Sequence, residues 1–222
     1  MKHKELYNDW EKLVNDIYGC TKCRLHENRT NAVPGEGSVD AEIMIVGEAP
    51  GKTEDEQGRP FVGAAGNLLT RILGSFNIDR ESVYITNVVK CRPPNNREPQ
   101  DDEVESCSIY LLSQVFLIKP KIIIALGNHA GKWFADRLNI RWFGITKMRG
   151  RLMEGELMGY QIKVMPTYHP AAALRRPPVL KYIESDIGKA ISLVQQRAIS
   201  KGRSDKKTLL DFIAGSKPND KG

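Results

Sequence analysis

No stretch of this 222-residue sequence is apolar for long enough to cross a bilayer. Its longest apolar runs, Ile43 to Val46 and Ile122 to Leu126, fall far short of the roughly 20 residues a spanning helix needs. The opening residues Met1-Lys2-His3-Lys4-Glu5 lack the apolar stretch and small-residue cleavage site of a secretory signal, so the cytoplasm is the expected location. No internal repeat is apparent. Charge of one sign is not in large excess either: 33 Lys+Arg against 27 Asp+Glu leave +6, which suits a polyanionic partner without establishing one. Half of that charge lies in residues 201–222, where six basic residues stand against three acidic ones. What the sequence does have is 41% hydrophobic residues over the length of one ordinary domain, enough for one sizeable core and enough to exclude a disordered chain or a fibre.

Cysteine is scarce, and its placement is informative. Cys20 and Cys23 form a C-x2-C pair, and Cys91 and Cys107 follow with 15 residues between them. In a reducing compartment a disulfide framework is disfavoured, whereas four thiolates suit one metal centre, either tetrahedral zinc or an iron–sulfur cluster. The wide second spacing favours iron–sulfur over a zinc ribbon. Buried cysteines serving as small hydrophobes remain the alternative.

Apolar positions Leu6, Trp10, Leu13, Val14 and Ile17 recur at helical spacing ahead of Cys20. Residues 24–40 are polar and turn-rich. Strands are then predicted at Glu42–Val46, Val83–Thr86 and Lys121–Leu126, and a hairpin within 141–168 has Gln161–Met165 as its second arm. Helices are predicted around Leu68–Phe76, over 100–118, from His129, and over 179–198. Strands alternating with helices imply a mainly parallel sheet covered on both faces. Gly47–Gly51, Asn87–Arg92, Gly127-Asn128 and Tyr168–Pro170 each follow the carboxyl end of a strand, where open α/β sheets bind ligands.

The first of these loops, Gly47-Glu-Ala-Pro-Gly51-Lys-Thr53, approaches a phosphate-binding loop but is one residue short. Pro50 removes an N–H from the cradle, and Glu48 puts negative charge where phosphate would lie. A tight turn exposing backbone and Glu48 is what survives.

Gly47-Glu-Ala-Pro-Gly51, Gly58-Arg-Pro-Phe61-Val-Gly63, Tyr84-Ile-Thr-Asn87-Val-Val-Lys-Cys91-Arg-Pro-Pro94 and His169-Pro-Ala171 resemble the family 4 uracil-DNA glycosylases. The resemblance runs from about Tyr7 to Gln196. It implies a three-layer α/β/α fold with a central, mainly parallel four-stranded sheet in residues 1–200, and a [4Fe-4S] cluster held by Cys20, Cys23, Cys91 and Cys107. It implies hydrolysis of the N-glycosidic bond of flipped-out deoxyuridine in single- or double-stranded DNA by a monomer, opening base excision repair. By the same resemblance Phe61 stacks on the base, Asn87 reads its Watson–Crick edge, and His169 stabilises the departing uracil anion. Gly47, Glu48 and Ala49 line the base pocket.

Some branches of the superfamily carry an aspartate or asparagine where Ala49 stands. The water is therefore expected on backbone groups of the Gly47–Gly51 turn with Glu48 or Glu54 beside it, Glu54 alternatively shaping the pocket against a thymine methyl group. His129 is read as capping or structural, and His3 and His26 have no supporting context. Arg92, Arg97, Arg175 and Arg176 are the candidate phosphate contacts. The basic tail, 201–222, places Leu209, Phe212 and Ile213 as in a sliding-clamp-binding box, with Lys206 where glutamine is usual.

Overall fold

The structure, a computed structural model, describes the backbone of residues 6–204 and the side chains of residues 6–195. The tail residues Leu209, Phe212 and Ile213 lie outside the described residues. The N-terminal half runs α1 (Trp10–Tyr18), β1 (Glu36–Gly37), β2 (Ile43–Gly47), α2 (Lys52–Gln57), α3 (Ala64–Ser75), β3 (Tyr84–Asn87) and α4 (Asp101–Ile118). The rest runs β4 (Ile122–Leu126), α5 (Gly127–Arg137), α6 (Ile145–Met148), β5 (Met153–Leu157), β6 (Tyr160–Thr167), α7 (Pro170–Arg175) and α8 (Leu180–Ser204). Among the described residues no helix is long and apolar enough to cross a membrane.

The strands form one sheet in the order β1-β3-β2-β4-β6-β5. β3, β2, β4 and β6 are parallel, while β1 and β5 add antiparallel edges. The sheet thus has six strands where four were expected. The four parallel strands are the predicted ones, β5 is the first arm of the hairpin expected within 141–168, and β1 was not anticipated. Glu36-Gly37 is too short to show any periodicity, and β5 carries only two buried residues, Met153 and Leu157, at its ends.

Buried parallel strands read as continuous apolar runs because both faces are covered. In β2, Ile43 and Ile45 pack with Leu69, Leu73, Ile183 and Ile187 from α3 and α8. Met44 and Val46 pack on the other face with Leu13, Tyr110 and Phe134 from α1, α4 and α5. Three layers follow directly from that alternation.

Two charged anchors fix the loops at the carboxyl ends of the strands. Glu103 is fully buried in the first turn of α4, where it accepts the Gln100 N–H at 2.8 Å and both guanidinium nitrogens of Arg97, at 2.8 and 2.6 Å. Asp186 of α8, also fully buried, accepts the Thr167 hydroxyl at 2.8 Å and the Arg149 Nε at 2.8 Å. It thereby ties α8 and the segment after α6 to the end of β6. Removing one member of a buried ion pair strands the other without compensation, so Asp186→Ala should cost about 3 kcal/mol of stability. Urea unfolding checks this, and a loss below about 1 kcal/mol would place the pair with ordinary surface bridges.

Candidate active site

The polypeptide turns sharply at the end of β2, and the backbone there comes unusually close to two side chains. Gly47 pairs in register with Asn87, the last residue of β3. A Cβ at position 47 would collide with Asn87 Oδ1 and with the edge of the Phe61 ring. Gly47, Asn87 and Phe61 therefore meet only because residue 47 has no side chain. They adjoin a cavity of about 330 Å³ that Glu48, Glu54, Phe61, Asn87, Arg97 and His169 line, with Ala49 among its other walls.

Phe61 is held in a left-handed conformation, φ +51°, which a bulky residue adopts only when its surroundings impose it. Glu54 supplies one restraint: its Oε1 accepts the Val62 and Gly63 N–H groups at 3.0 and 2.8 Å. Arg80 supplies another by donating to the Pro60 carbonyl. Gly66 supplies a third, since a Cβ there would overlap the Phe61 carbonyl. Of the two glutamates proposed to hold a water, Glu54 is thus engaged in shaping the loop that presents Phe61.

His169 caps α7, with Pro170 in the first helical position. Its Nδ1 accepts the Ala171 N–H at 3.2 Å. Nδ1 is then the unprotonated nitrogen, and the ring proton is assigned to Nε2. Burial lowers the His169 pKa to about 4, with Glu54 acting upward and Arg175 downward; the ring sits deep in the crevice although solvent reaches its edge. It is a neutral donor at neutral pH. Its ring stacks against Phe61, centroids 5.5 Å apart at 28°. Gly127, at φ +92°, lets the start of α5 approach His169, where an added Cβ would lie 3.3 Å from its Cβ.

Asn87 is 1% exposed, and its Oδ1 is the one buried side-chain polar atom among the described residues that has no hydrogen-bond partner. Such an atom in a native fold calls for an explanation. Beside it, Glu48 has its pKa raised by burial, an effect that Glu98 reinforces and His129 opposes. His129 Nε2 lies 3.9 Å from Glu48 Oε2 and 3.2 Å from Glu98 Oε1. His129 was read from sequence as capping or structural; the structure instead places it next to Glu48. Its position straight after β4, in the set of strand-end loops, was the available signal. Asn128 turns away, accepting from Trp142 Nε1 at 3.0 Å and from the Ile145 N–H at 3.3 Å.

The expected phosphate contacts divide. Arg97 has its guanidinium engaged by Glu103 and the Glu98 carbonyl, which makes it a brace for the loop. Arg92 donates to Asn96 Oδ1 at 2.7 Å. Arg175 and Arg176 are exposed at the end of α7 and form no ion pair among the described residues.

A second pocket lies behind the first. Cys20, Cys23, Cys91 and Cys107 all line it, although among the described residues no three metal-ligating side chains converge as they would on a single ion. Burial raises the Cys23 and Cys91 thiols and pushes Cys107 up to about 12. Donors nonetheless face the sulfurs: Arg29 Nη1 reaches Cys91 Sγ at 3.0 Å, the Lys90 N–H reaches Cys107 Sγ at 3.3 Å, and the Lys22 N–H reaches Cys20 Sγ at 3.5 Å. Lys90, entirely buried between the two pockets, has its pKa lowered to about 7 by burial, with Cys107 and Cys91 acting in the opposite direction. No local pattern reveals its role or that of Asp55, a buried residue whose carboxylate accepts the Thr30 N–H at 2.9 Å.

The histidine has a measurable consequence. Unfolded, it titrates near 6.5; folded, at about 4. Between those values the unfolded chain binds the extra proton, so the stability tied to neutral His169 is complete above about pH 6.5 and is lost as the pH falls toward 4. Thermal melts from pH 7 to 4 should show this decline, and His169→Asn should flatten it. An unchanged acid slope in the variant would place the titration elsewhere.

Residues 34–185 match the family described as "Uracil DNA glycosylase superfamily". A type-4 uracil-DNA glycosylase of Saccharolobus solfataricus is 46% identical over 211 residues, covering 95% of this chain and 93% of the relative. Type-4 enzymes of Archaeoglobus fulgidus and Thermotoga maritima are each 48% identical over 179 residues, covering 81% and 80% of this chain and 90% of either relative. Similar along nearly its whole described length to relatives of about its own size, the chain belongs to the uracil DNA glycosylase superfamily.

Proposed function

We propose that this protein is a uracil-DNA glycosylase that hydrolyses the N-glycosidic bond of deoxyuridine flipped out of DNA, releasing uracil and leaving an abasic site. The observation that carries the reading is the unpartnered Oδ1 of buried Asn87. Uracil offers an N3–H donor to that oxygen and an O4 acceptor to the amide N–H. Cytosine offers the opposite at both atoms, and a buried mismatch of that kind costs several kcal/mol.

Phe61 provides an aromatic face whose stacking recovers about 1–3 kcal/mol of the cost of flipping. As the bond from the sugar to N1 breaks, negative charge gathers on uracil O2. The Nε2–H of neutral His169 is the donor suited to meet it, a contribution of a few kcal/mol. Glu48 orients a water toward the sugar cation; the water oxygen bonds to C1′ and its proton passes to the carboxylate. No lysine lines the cavity among the described residues, which accords with attack by water and no lyase step.

That all four cysteines line one pocket supports reading them as ligands of one shared group, and four thiolates suit an iron–sulfur cluster. Cys20, Cys23, Cys91 and Cys107 would hold a [4Fe-4S] group that supplies structural bracing. Arg92, Arg175 and Arg176 contact the DNA backbone, and the tail docks on the DNA sliding clamp through Leu209, Phe212 and Ile213. The protein works as a cytoplasmic monomer.

Uracil-containing DNA treated with the protein and then with alkali should break at the uracil sites. Asn87→Ala and His169→Ala should each slow release by about 100-fold or more. Intact strands under all conditions would overturn the enzyme reading. Cys107→Ser should lose both the visible iron–sulfur absorption and a large part of the thermal stability, while a colourless, zinc-containing wild type would overturn the cluster assignment.

A further inference from the structure

The reading of Asn87 as the group that recognises uracil leaves open what holds it still. Its Oδ1 has no partner among the described residues, so its aim depends on its backbone. That backbone is gripped by one side chain. Lys90 Nζ donates to the Asn87 carbonyl at 2.7 Å, to Thr86 Oγ1 at 2.6 Å and to Gln114 Oε1 at 2.7 Å. All three ammonium protons are satisfied without water.

The network is anchored beyond the lysine. Gln114 Nε2 donates to the Pro34 carbonyl at 2.9 Å and to the Tyr84 hydroxyl at 3.1 Å, and Thr86 Oγ1 donates to the same carbonyl at 2.7 Å. The main chain of Lys90 is tied on its other side, where its N–H reaches Cys107 Sγ and its carbonyl accepts the Val33 N–H at 2.7 Å. One residue thus binds the cysteine cradle through its backbone and the base-reading residue through its side chain. Burying an ammonium is costly, and a well-packed apolar residue is often at least as stable. Stability alone is therefore a poor reason for a lysine here.

We propose that Lys90 is a positioning residue that locks Asn87 to the cysteine cradle and so fixes the height at which the base edge is read. The proposal rests on the assignment of Asn87 made above, and it is tested by a double-mutant cycle in the full chain. Single-turnover release of uracil from an oligonucleotide is measured for wild type, Lys90→Met, Asn87→Ala and the double variant, alongside DNA affinity, visible cluster absorption and melting temperature. Misplacement by about 1 Å can cost on the order of 100-fold, so Lys90→Met should slow release by about 10- to 100-fold with DNA affinity changed less than about 3-fold. In the Asn87→Ala background the same substitution should cost less than about 3-fold, because the group it positions is gone.

If Lys90 served folding alone, the loss would be a smaller active fraction, and it would multiply equally in both backgrounds. That outcome, or a wild-type rate in Lys90→Met, overturns the proposal. If Lys90→Met yields no folded, coloured protein, Gln114→Met carries the cycle, since it loosens the ammonium from outside the crevice. A smaller loss that vanishes beside Asn87→Ala supports the proposal, and a loss that persists there overturns it. A fully active Asn87→Ala protein would instead refute the base-reading assignment itself and the proposal with it, an outcome separable from a slow Asn87→Ala protein in which Lys90 shows no coupling.

Discussion

The crevice depends on a missing side chain. Gly47 ends the central strand β2, and the volume a Cβ would occupy there is shared by the Asn87 amide and the Phe61 ring. β2 has no freedom to retreat from a larger residue: parallel strands flank it on both sides, and every one of its residues is buried. A close-packed interior transmits such a collision instead of absorbing it. The same logic repeats one layer out, where Gly66 lets α3 rest against the Phe61 carbonyl. The glycines of this region serve close approach, to side chains at Gly47 and to a carbonyl at Gly66.

From that point the structure is stiff all the way to the cysteines. Only the segment Asn87–Cys91 separates the crevice from the cradle, and its backbone is bonded along its length. The Val88 and Val89 N–H groups reach the carbonyls of Gly47 and Glu48 at 2.9 and 3.1 Å, respectively. Cys91 and Cys107 continue the connection into α4, whose first turn holds Arg97 through Glu103. Cross-linking four cysteines would therefore brace a wall of the crevice as well as the N-terminal third of the chain. A cluster held there, as proposed above, would thus have a structural reason to sit so near the crevice.

The parallel strands were legible in the sequence because burial on both faces writes itself as unbroken apolar runs. Edge strand β1, two residues long, left no such trace, and β5 showed only as the first arm of a hairpin without assigned bounds. The gathering of strand-end loops followed from topology; motifs in those loops singled out Asn87 and His169, and the motif between α2 and α3 singled out Phe61. The physical means by which these residues are held was not legible. The left-handed φ of Phe61 depends on Glu54, Arg80 and Gly66, and the tautomer of His169 depends on a cap that exists only once α7 forms. Lys90, read from sequence as one letter in a motif, owes its interest to a burial that no local pattern encodes. The pairing of Arg97 was not legible because a six-residue separation does not reveal that Glu103 is buried. His129 was passed over for the converse reason, its two acidic neighbours being far away in sequence.

The way charge is spent clarifies how a protein of modest net charge can handle DNA. Arg24, Arg59, Arg80, Arg97 and Arg149 are all paired with carboxylates, and three of them restrain loops around the crevice. Their job is geometry, whereas Arg175 and Arg176, exposed at the end of α7, form no ion pair among the described residues. Within the crevice the same restraint applies. An imidazolium at His169 would have to be buried near Arg175, and the cost shows in its depressed pKa. A neutral ring gives up the charge but keeps an oriented N–H, which is preorganised and needs no proton from solvent before it acts. On the proposed reading, such a donor dipole would stabilise a departing uracil anion as it forms and bind the neutral product less strongly, so the electrostatics that assist bond cleavage would not hold the released base in place.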